Sequence, residues 1–510
     1  MVVRNRGGDV SSTLVIQGIG KVVSVREHEL HDAALVLASE GFSLDMIVPV
    51  SDPLDGIYAT YVLGRQDGAR AAILATISGA ARAFPSLVAI WPEADWPERR
   101  ARDLFGISIT GNPRDGRLVR HANWPSGYRP MVDERAPADW PSENGLTMDL
   151  VPVAGEGVHE IPVGPIHAGI IEPGHFRFYV DGERIVGLEL KLFYTHRGIE
   201  KAMEGRPISD GIALAETVSG DSAVAHSWAY CAAVERALGI TVSEEALALR
   251  GFLLELERVA CHVGDVGAIM NDIAYNWIFT QCQGVREDLL RAYDRYLGHR
   301  FLRGIIGVGG VRAAPSDLDP VLEALVSAAG QATDLLRIAL ERASVIGRLR
   351  GTGELTRKEA LARHAVGVVG RASGLALDCR ATMGSPYTEA FETVIEGSGD
   401  VEARVLVRLK EIEVSVELAQ EFIGTARSAR AVSKPTEGRM SGVGIGFAEG
   451  WRGECLHYID IKEGRVARWA PRDPSSLNWP LLPAAVEGDL VPDFPLINKS
   501  FNLSYAGNDL

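Results

Sequence analysis

The most constraining feature of this sequence is a turn. Asp181-Gly182-Glu183 lies between two runs of alternating apolar residues, Phe176, Phe178 and Val180 before it and Ile185, Leu188 and Leu190 after it. Asp-Gly in that setting predicts a β-hairpin, because a tight connection between twisted strands needs residues that tolerate positive φ. Pro162-Val-Gly-Pro-Ile-His167 leads into the hairpin and Thr195-His-Arg-Gly-Ile-Glu-Lys201 leaves it. In a helix, His196 and Glu200 would share one face, with Arg197 and Lys201 on the next.

Beyond the hairpin the apolar spacing changes to three and four. Residues 214–238, 244–263, 285–298, 318–348, 357–362 and 401–431 read as helices. Thr241 or Ser243 is the expected N-cap before Glu244-Glu245. The expected fold is a small N-terminal α+β domain followed by a mainly α-helical bundle domain with a small β elaboration at 157–192. The domain boundaries are expected at 1–130, 131–157 and 158–510, the middle segment being a linker with Pro137, Pro141 and Pro152 and no apolar period. In the first domain, Leu30, Ala33, Ala34 and Leu37 mark a helix that Gly41 stops. Strands are expected at 43–50, 57–64, 71–77 and 86–91, then a helix opening at Pro97.

A chain of 510 residues exceeds one ordinary core. Its 46% apolar and 23% charged residues fit a water-soluble globular protein. A net charge of −15 argues against a nucleic-acid partner, since little is basic enough to displace counterions from phosphates. Apolar runs such as 305–311 are broken by glycines far short of membrane length, so no membrane span is expected. The first residues lack the apolar centre of a signal peptide, and the expected location is cytoplasmic. The five cysteines (231, 261, 282, 379 and 455) are at least 21 residues apart, so no Cys-x-x-Cys exists to hold a metal or a cluster. They read as buried free thiols.

A series of short blocks then appears in order: Val234-Glu-Arg-Ala-Leu-Gly-Ile, Glu255-Leu-Glu-Arg-Val-Ala-Cys-His262, Asp265-Val-Gly-Ala, Gly307-Val-Gly-Gly-Val311, Gly370-Arg-Ala-Ser-Gly374 and Pro386-Tyr387. With the blocks around the hairpin, this series resembles the large subunit of group 4 nickel–iron hydrogenases of the formate hydrogenlyase type. It also resembles their relative, the 49-kDa subunit of respiratory complex I. The stretch 91–106, with the Gly111-Asn-Pro-Arg-Asp-Gly-Arg-Leu turn after it, is similar to the complex I 30-kDa subunit, which in that family is a docking domain without a redox centre.

The resemblance implies a nickel site and the residues deny it. Where that family places four cysteines, this sequence carries Ser219, Ser222, Ser504 and Gly507. A thiolate is soft, anionic and able to bridge two metals, whereas a serine hydroxyl is hard and neutral and glycine offers no donor. No metal is therefore expected in this chain, and an active hydrogenase would require that the four positions are misaligned.

By the same resemblance, His167 in Gly-Pro-Ile-His matches a histidine that serves a quinone headgroup, and Asp265 an acid that orients it. Histidine suits that role because its ordinary pKa lies near neutrality. Arg197 and His262, with His196 and Glu200, resemble residues facing or relaying to the terminal 4Fe-4S cluster of a small partner subunit. The tyrosine that complex I adds has no match near Ser219–Ser222. Gly442, Gly444 and Gly446 are expected in a tight turn near the cavity, and His226 as a core residue beside it.

The expected function is a subunit of a membrane-associated complex I-like or hydrogenase-related oxidoreductase. It would take electrons from the partner's 4Fe-4S cluster, with quinone as a candidate acceptor, and sit on the inner face of the cell membrane. The alternative is a catalytically silent subunit that couples partners structurally. The implied partners are the cluster subunit and antiporter-type membrane subunits. NAD would be involved only through the assembled complex.

Overall fold

The computed structural model describes residues 15–52, 56–77, 83–114, 116–138, 153, 155–432 and 439–510. The N-terminal region opens with β1 (Ile16–Gln17), β2 (Lys21–Arg26) and helix α1 (Leu30–Ser39), followed by β3 (Ser43–Asp52), β4 (Gly56–Gly64) and β5 (Arg70–Thr76). Strands β2 to β5 form one sheet in the order β2-β5-β4-β3, with β2 parallel to β5 and the other pairs antiparallel. Leu30, Ala34 and Leu37, spaced for one helical face, are buried in the same core as the sheet residues Tyr61 and Ile73.

The strand expected at 86–91 is not there. A three-residue strand, β6 (Ala83–Pro85), pairs in parallel with β7 (Ser108–Thr110), and the next residues turn. The cause is Glu98 of helix α2 (Asp95–Phe105), whose carboxylate accepts the Leu87 N–H at 2.6 Å and the Ser86 hydroxyl at 2.7 Å. Those bonds satisfy groups that a ladder would otherwise need. Helix α2 begins two residues before Pro97, which sits in the first turn where its missing N–H costs nothing. Residues 139–152 and 154, most of the expected linker, lie outside the described residues.

The hairpin forms as expected. Strands β8 (Val158–Val163), β9 (His175–Asp181) and β10 (Arg184–Lys191) make an antiparallel sheet in the order β10-β9-β8, turning at Gly182. Phe176, Phe178 and Val180 point inward from alternate positions, the two phenylalanine rings resting edge-on to Phe494.

Helices then dominate: α3 (Ile199–Met203), α4 (Gly211–Ala215), α5 (Ala223–Leu238), α6 (Glu244–Asp272) and α7 (Asn276–Leu297). After the two-residue strands β11 (Ile306–Gly307) and β12 (Gly310–Val311) come α8 (Asp319–Leu340), α9 (Ala343–Leu349), α10 (Arg357–Ala362), α11 (Gly367–Ala372) and α12 (Val401–Ala426). Ser243 caps α6 by accepting the Ala246 N–H at 3.3 Å, as its position predicts.

Three expected helices differ. The one over 214–238 is broken at 216–222, and the loop so made carries Ser219 and Ser222. The one over 318–348 is divided by Glu341 and Arg342. The helix after the hairpin starts only at Ile199, so His196 and Arg197 lie before it rather than on a face with Glu200.

The largest departure is a second four-stranded sheet near residue 450: β13 (Gly442–Gly450), β14 (Gly453–Lys462) and β15 (Arg465–Arg472), antiparallel, with β1 added in parallel on the β13 edge. Gly442, Gly444 and Gly446 are therefore alternate residues of a strand and not a turn. They face helix α5, and a Cβ at Gly446 would stand 2.2 Å from the Ala229 carbonyl oxygen. Glycine is required because two backbones touch, which composition alone reads as weak strand propensity. Four short helices complete the chain: α13 (Ser475–Asn478), α14 (Leu482–Val486), α15 (Phe494–Phe501) and α16 (Tyr505–Asp509). No helix among the described residues is long and apolar enough to cross a membrane.

Candidate functional site

Two segments some 280 residues apart meet inside the second domain. The α4–α5 loop brings Ser219 and Ser222, and the start of α16 brings Ser504 and Gly507. The Ser219 hydroxyl lies 2.8 Å from that of Ser504, and Ser504 in turn accepts the Gly507 N–H at 2.9 Å. The fold thus gathers the four positions that the sequence resemblance singled out.

What fills their centre is a guanidinium. Arg452, at the β13–β14 turn, reaches Ser219 at 3.3 Å and Ser222 at 3.4 Å, and grips Asp221 through two bonds of 2.6 and 2.8 Å. Its Nε donates to the Asn502 carbonyl at 2.6 Å, and its carbon lies 3.8 Å above the Trp451 ring. Burial opposes the charge, but Asp221 holds the Arg452 pKa above its ordinary value. At Gly507 the space for a side chain is taken by Asp473, whose carboxylate oxygen stands 2.6 Å from where a Cβ would be. The donor set does not fit nickel. Two hydroxyls bond each other, a fixed cation lies among them, and the fourth position has no ligand atom.

Behind this chamber runs a buried chain of polar rings. The Trp469 indole N–H meets His457 Nδ1 at 3.1 Å, His457 Nε2 meets His226 Nδ1 at 3.0 Å, and His226 Nε2 meets Asp473 Oδ2 at 3.0 Å. Cys455 Sγ lies 3.6 Å from the same His226 nitrogen. All five side chains are buried. Burial, with the Arg472 guanidinium nearby, keeps the His457 pKa well below its ordinary value. Burial works against the Asp473 carboxylate, yet His226 and Arg452 hold its pKa below the ordinary carboxylate value. Burial pushes the Cys455 thiol well up, so it stays protonated.

His167 lies elsewhere, partly exposed, in the loop between β8 and β9. Its Nδ1 is 3.3 Å from the Pro165 carbonyl oxygen, which can only accept, so the proton is on Nδ1. Its Nε2 therefore accepts from the Tyr505 hydroxyl at 3.3 Å. The ring is also edge-on to Phe176, with centroids 5.3 Å apart. On either side of this histidine Ile166 is 84% and Ile170 99% exposed.

The other expected site residues are dispersed. Asp265 does not orient His167: its carboxylate is bound by Arg408 Nε at 3.0 Å and by the Asn502 amide. His262 is wholly buried, donating to Glu411 at 2.8 Å inside a network of Arg258, Arg371 and Arg380 with Glu255, Asp378 and Glu449. That position is interior rather than partner-facing. Burial lowers its pKa. Glu200 joins the two domains, meeting Arg100 of α2 at 3.0 Å and Arg468 of β15 at 3.1 Å. His196 is bonded to the Asp509 carbonyl at 2.7 Å, and burial lowers its pKa. Arg197 is exposed at its edge and donates to the carbonyls of Thr217, Val218 and Ala506 at 2.6, 3.0 and 3.1 Å. It thereby ties the serine-bearing loop to α16.

A small cleft of about 70 Å³ lies where the N-terminal domain meets β15 and α16. Trp96, Phe105, Phe193 and Leu477 line it, and its inner end reaches Asp473 and Gly507. Sequence reasoning did not identify Tyr505, Arg452, Cys455, His457, Trp469 or Asp473. For Tyr505 a signal existed, since it directly follows Ser504. For Asp473 and Arg452 only the folded chain reveals the convergence.

Residues 272–441 match the family of the 49-kDa subunit of respiratory-chain NADH dehydrogenase, and residues 23–136 match that of its 30-kDa subunit. The chain is 31% identical to formate hydrogenlyase subunit 5 of Escherichia coli K12 over 473 residues, covering 89% of this chain and 82% of the relative. Hydrogenase-4 component G of the same organism is 30% identical over 471 residues, 89% of this chain and 81% of that one. An NADH-quinone oxidoreductase subunit of Phocaeicola vulgatus is 28% identical over 404 residues, 74% and 77% of the two chains. Among solved structures, a chain of the membrane-bound sulfane sulfur reductase, an archaeal respiratory membrane complex, has the same fold. Its TM-score is 0.62 at 24% identity, over 71% of this chain and all of that one.

Proposed function

The chain belongs to the family of formate hydrogenlyase subunit 5 and hydrogenase-4 component G, built here from a 30-kDa-type and a 49-kDa-type NADH dehydrogenase region, and we propose that it serves a complex I-like membrane respiratory complex as a nickel-free electron-transfer subunit. Electrons would come from the 4Fe-4S cluster of a small partner subunit and reduce a quinone beside His167. The observation that carries this reading is the contrast between two places. Arg452 fills the serine chamber, while a partly exposed His167 is hydrogen-bonded to the buried Tyr505. The exposed Ile166 and Ile170 next to that pair suit a surface covered by the cluster subunit or a membrane subunit.

The reduction takes up two electrons and two protons and converts both quinone carbonyls to hydroxyls. In the resting pair, Tyr505 donates to His167 Nε2. Once Nε2 is protonated, its N–H is a donor for one quinone oxygen. The Tyr505 hydroxyl, released from the ring, can then turn to the same substrate. Burial raises the Tyr505 pKa, which favours a hydrogen-bond donor over a phenolate.

The test is quinone-dependent turnover of the purified complex. His167→Ala is expected to lower it about 100-fold and Tyr505→Phe about tenfold, within the range for general acid–base groups, with partner subunits still co-purifying. Unchanged turnover in both variants refutes the reading. Arg197 favours the second reading, a silent coupling subunit, because it fastens three carbonyls from two distant segments. In that case the His167 variants are silent and Arg197→Ala loosens the cluster partner.

A further inference from the structure

His226, Cys455 and Asp473 bring an imidazole nitrogen, a thiol and a carboxylate within 4.8 Å of one another, a donor set suited to zinc or another transition metal. We infer that Trp469 keeps this buried cluster free of metal, by fixing through His457 the tautomer in which His226 presents a proton, not a lone pair, to Asp473. The inference does not depend on the acceptor proposed for His167.

Hydrogen-bond polarity fixes where the protons lie. An indole nitrogen can only donate. Trp469 Nε1 faces His457 Nδ1 at 3.1 Å, so that nitrogen must accept and the His457 proton must be on Nε2. Nε2–H then donates to His226 Nδ1 at 3.0 Å, which leaves the His226 proton on Nε2, directed at Asp473 Oδ2 at 3.0 Å. Each step follows from the one before, and at His226 Nε2 the Asp473 oxygen at 3.0 Å lies nearer than the Cys455 sulfur at 3.6 Å.

A neutral imidazole bound to a metal through Nε2 carries its proton on Nδ1. In this cluster that proton would meet the His457 Nε2–H. Relieving the clash moves the His457 proton to Nδ1, where it faces the Trp469 N–H. A metal therefore costs a buried hydrogen bond and sets two donors against each other. Spacing agrees with this: ligand atoms on a tetrahedral zinc at about 2.0–2.3 Å stand roughly 3.3 Å or more apart, whereas His226 Nε2 and Asp473 Oδ2 are 3.0 Å apart. The serine chamber and this cluster thus exclude metals by different means, the first by a resident cation and the second by proton direction.

The test uses the full chain and cobalt(II), whose bond to a thiolate gives a charge-transfer absorption. After loading and desalting, the wild-type chain should retain little cobalt and show no such band. Trp469→Phe frees His457 to reverse, and should retain about tenfold more, the factor that one ordinary hydrogen bond represents. Its band should vanish in the Trp469→Phe, Cys455→Ser double variant. One equivalent of cobalt with the band in the wild type overturns the inference, as does a folded Trp469→Phe chain that gains none. Should that variant not fold, the wild-type chain labelled with nitrogen-15 histidine decides. Both His226 and His457 protonated on Nε2 supports the inference, and either one protonated on Nδ1 overturns it.

Discussion

At the scale of single residues, Glu257 has the most measurable consequence. From α6 its carboxylate accepts the N–H groups of Val224 and Ala225, at 2.7 and 3.2 Å, where α5 begins. Burial pushes its pKa up to about 8, against the effect of those two bonds, and the charge on Asp221 adds to the rise. In the unfolded chain the group titrates near 4.5. Below that pH both states hold the proton and nothing is lost. Between 4.5 and 8 only the unfolded chain gives it up, so stability falls as pH rises, by about 5 kcal/mol in all. The melting temperature should therefore drop from pH 5 to pH 8, and Glu257→Gln should flatten that slope. An unaltered slope in the variant refutes the assignment. Residue identities were the most legible part of the site. The serines, Gly507 and His167 stand in local motifs that can be read along the chain. Arg452, Asp473 and Tyr505 acquire their partners from segments far away, and spacing carries no trace of that.

At the scale of elements, periodicity located α1, α10 and the hairpin, each of which buries one face, and α6, which is buried along most of its length. It did not reveal β13, where glycines stand in place of the apolar alternation. The physical content of that strand is a contact between backbones. A Cβ at Gly446 would lie 2.2 Å from both the Ala229 carbonyl oxygen and the Ala233 nitrogen, neither of which can swing aside as a side chain can. Gly446→Ala is expected to destabilise the chain by about 3 kcal/mol or more. Gly284→Ala, in α7 with nothing within 4 Å of its new methyl, should be neutral or stabilise by up to about 1 kcal/mol. Denaturation midpoints of the two variants check both, and similar midpoints would mean that α5 and β13 are not in contact.

At the scale of the whole molecule, the domains are clamped by buried charges. Glu200 lies between Arg100 and Arg468, Arg70 of β5 pairs with Glu454, and Asp45 of β3 meets His364 at 3.2 Å. For Glu200 burial is outweighed by the two guanidinium groups, which hold its pKa below the ordinary value. Glu200→Gln leaves the buried Arg468 and the half-buried Arg100 without this counter-charge, at a cost of about 3 kcal/mol. Amide exchange should then quicken in α2 and β15 while α6 and α12 remain protected. Uniform exchange across all four elements would refute a clamp. This level was the least legible in sequence, since Glu200 reads as an intrahelical partner of its neighbours until the other domain is placed against it.

The parallel pairing of Ile16 with Val443 also sets a timetable. A ribosome adding about 5–20 residues per second needs roughly 20 to 90 s to travel from one to the other. Through that interval the first strand has no edge to join. The sheet that carries Arg452 at its β13–β14 turn can close only after Val443 has been made, and Ser219 waits for Ser504 in the same way. Any factor that binds the open edge of β1 therefore competes with a strand made more than four hundred residues later.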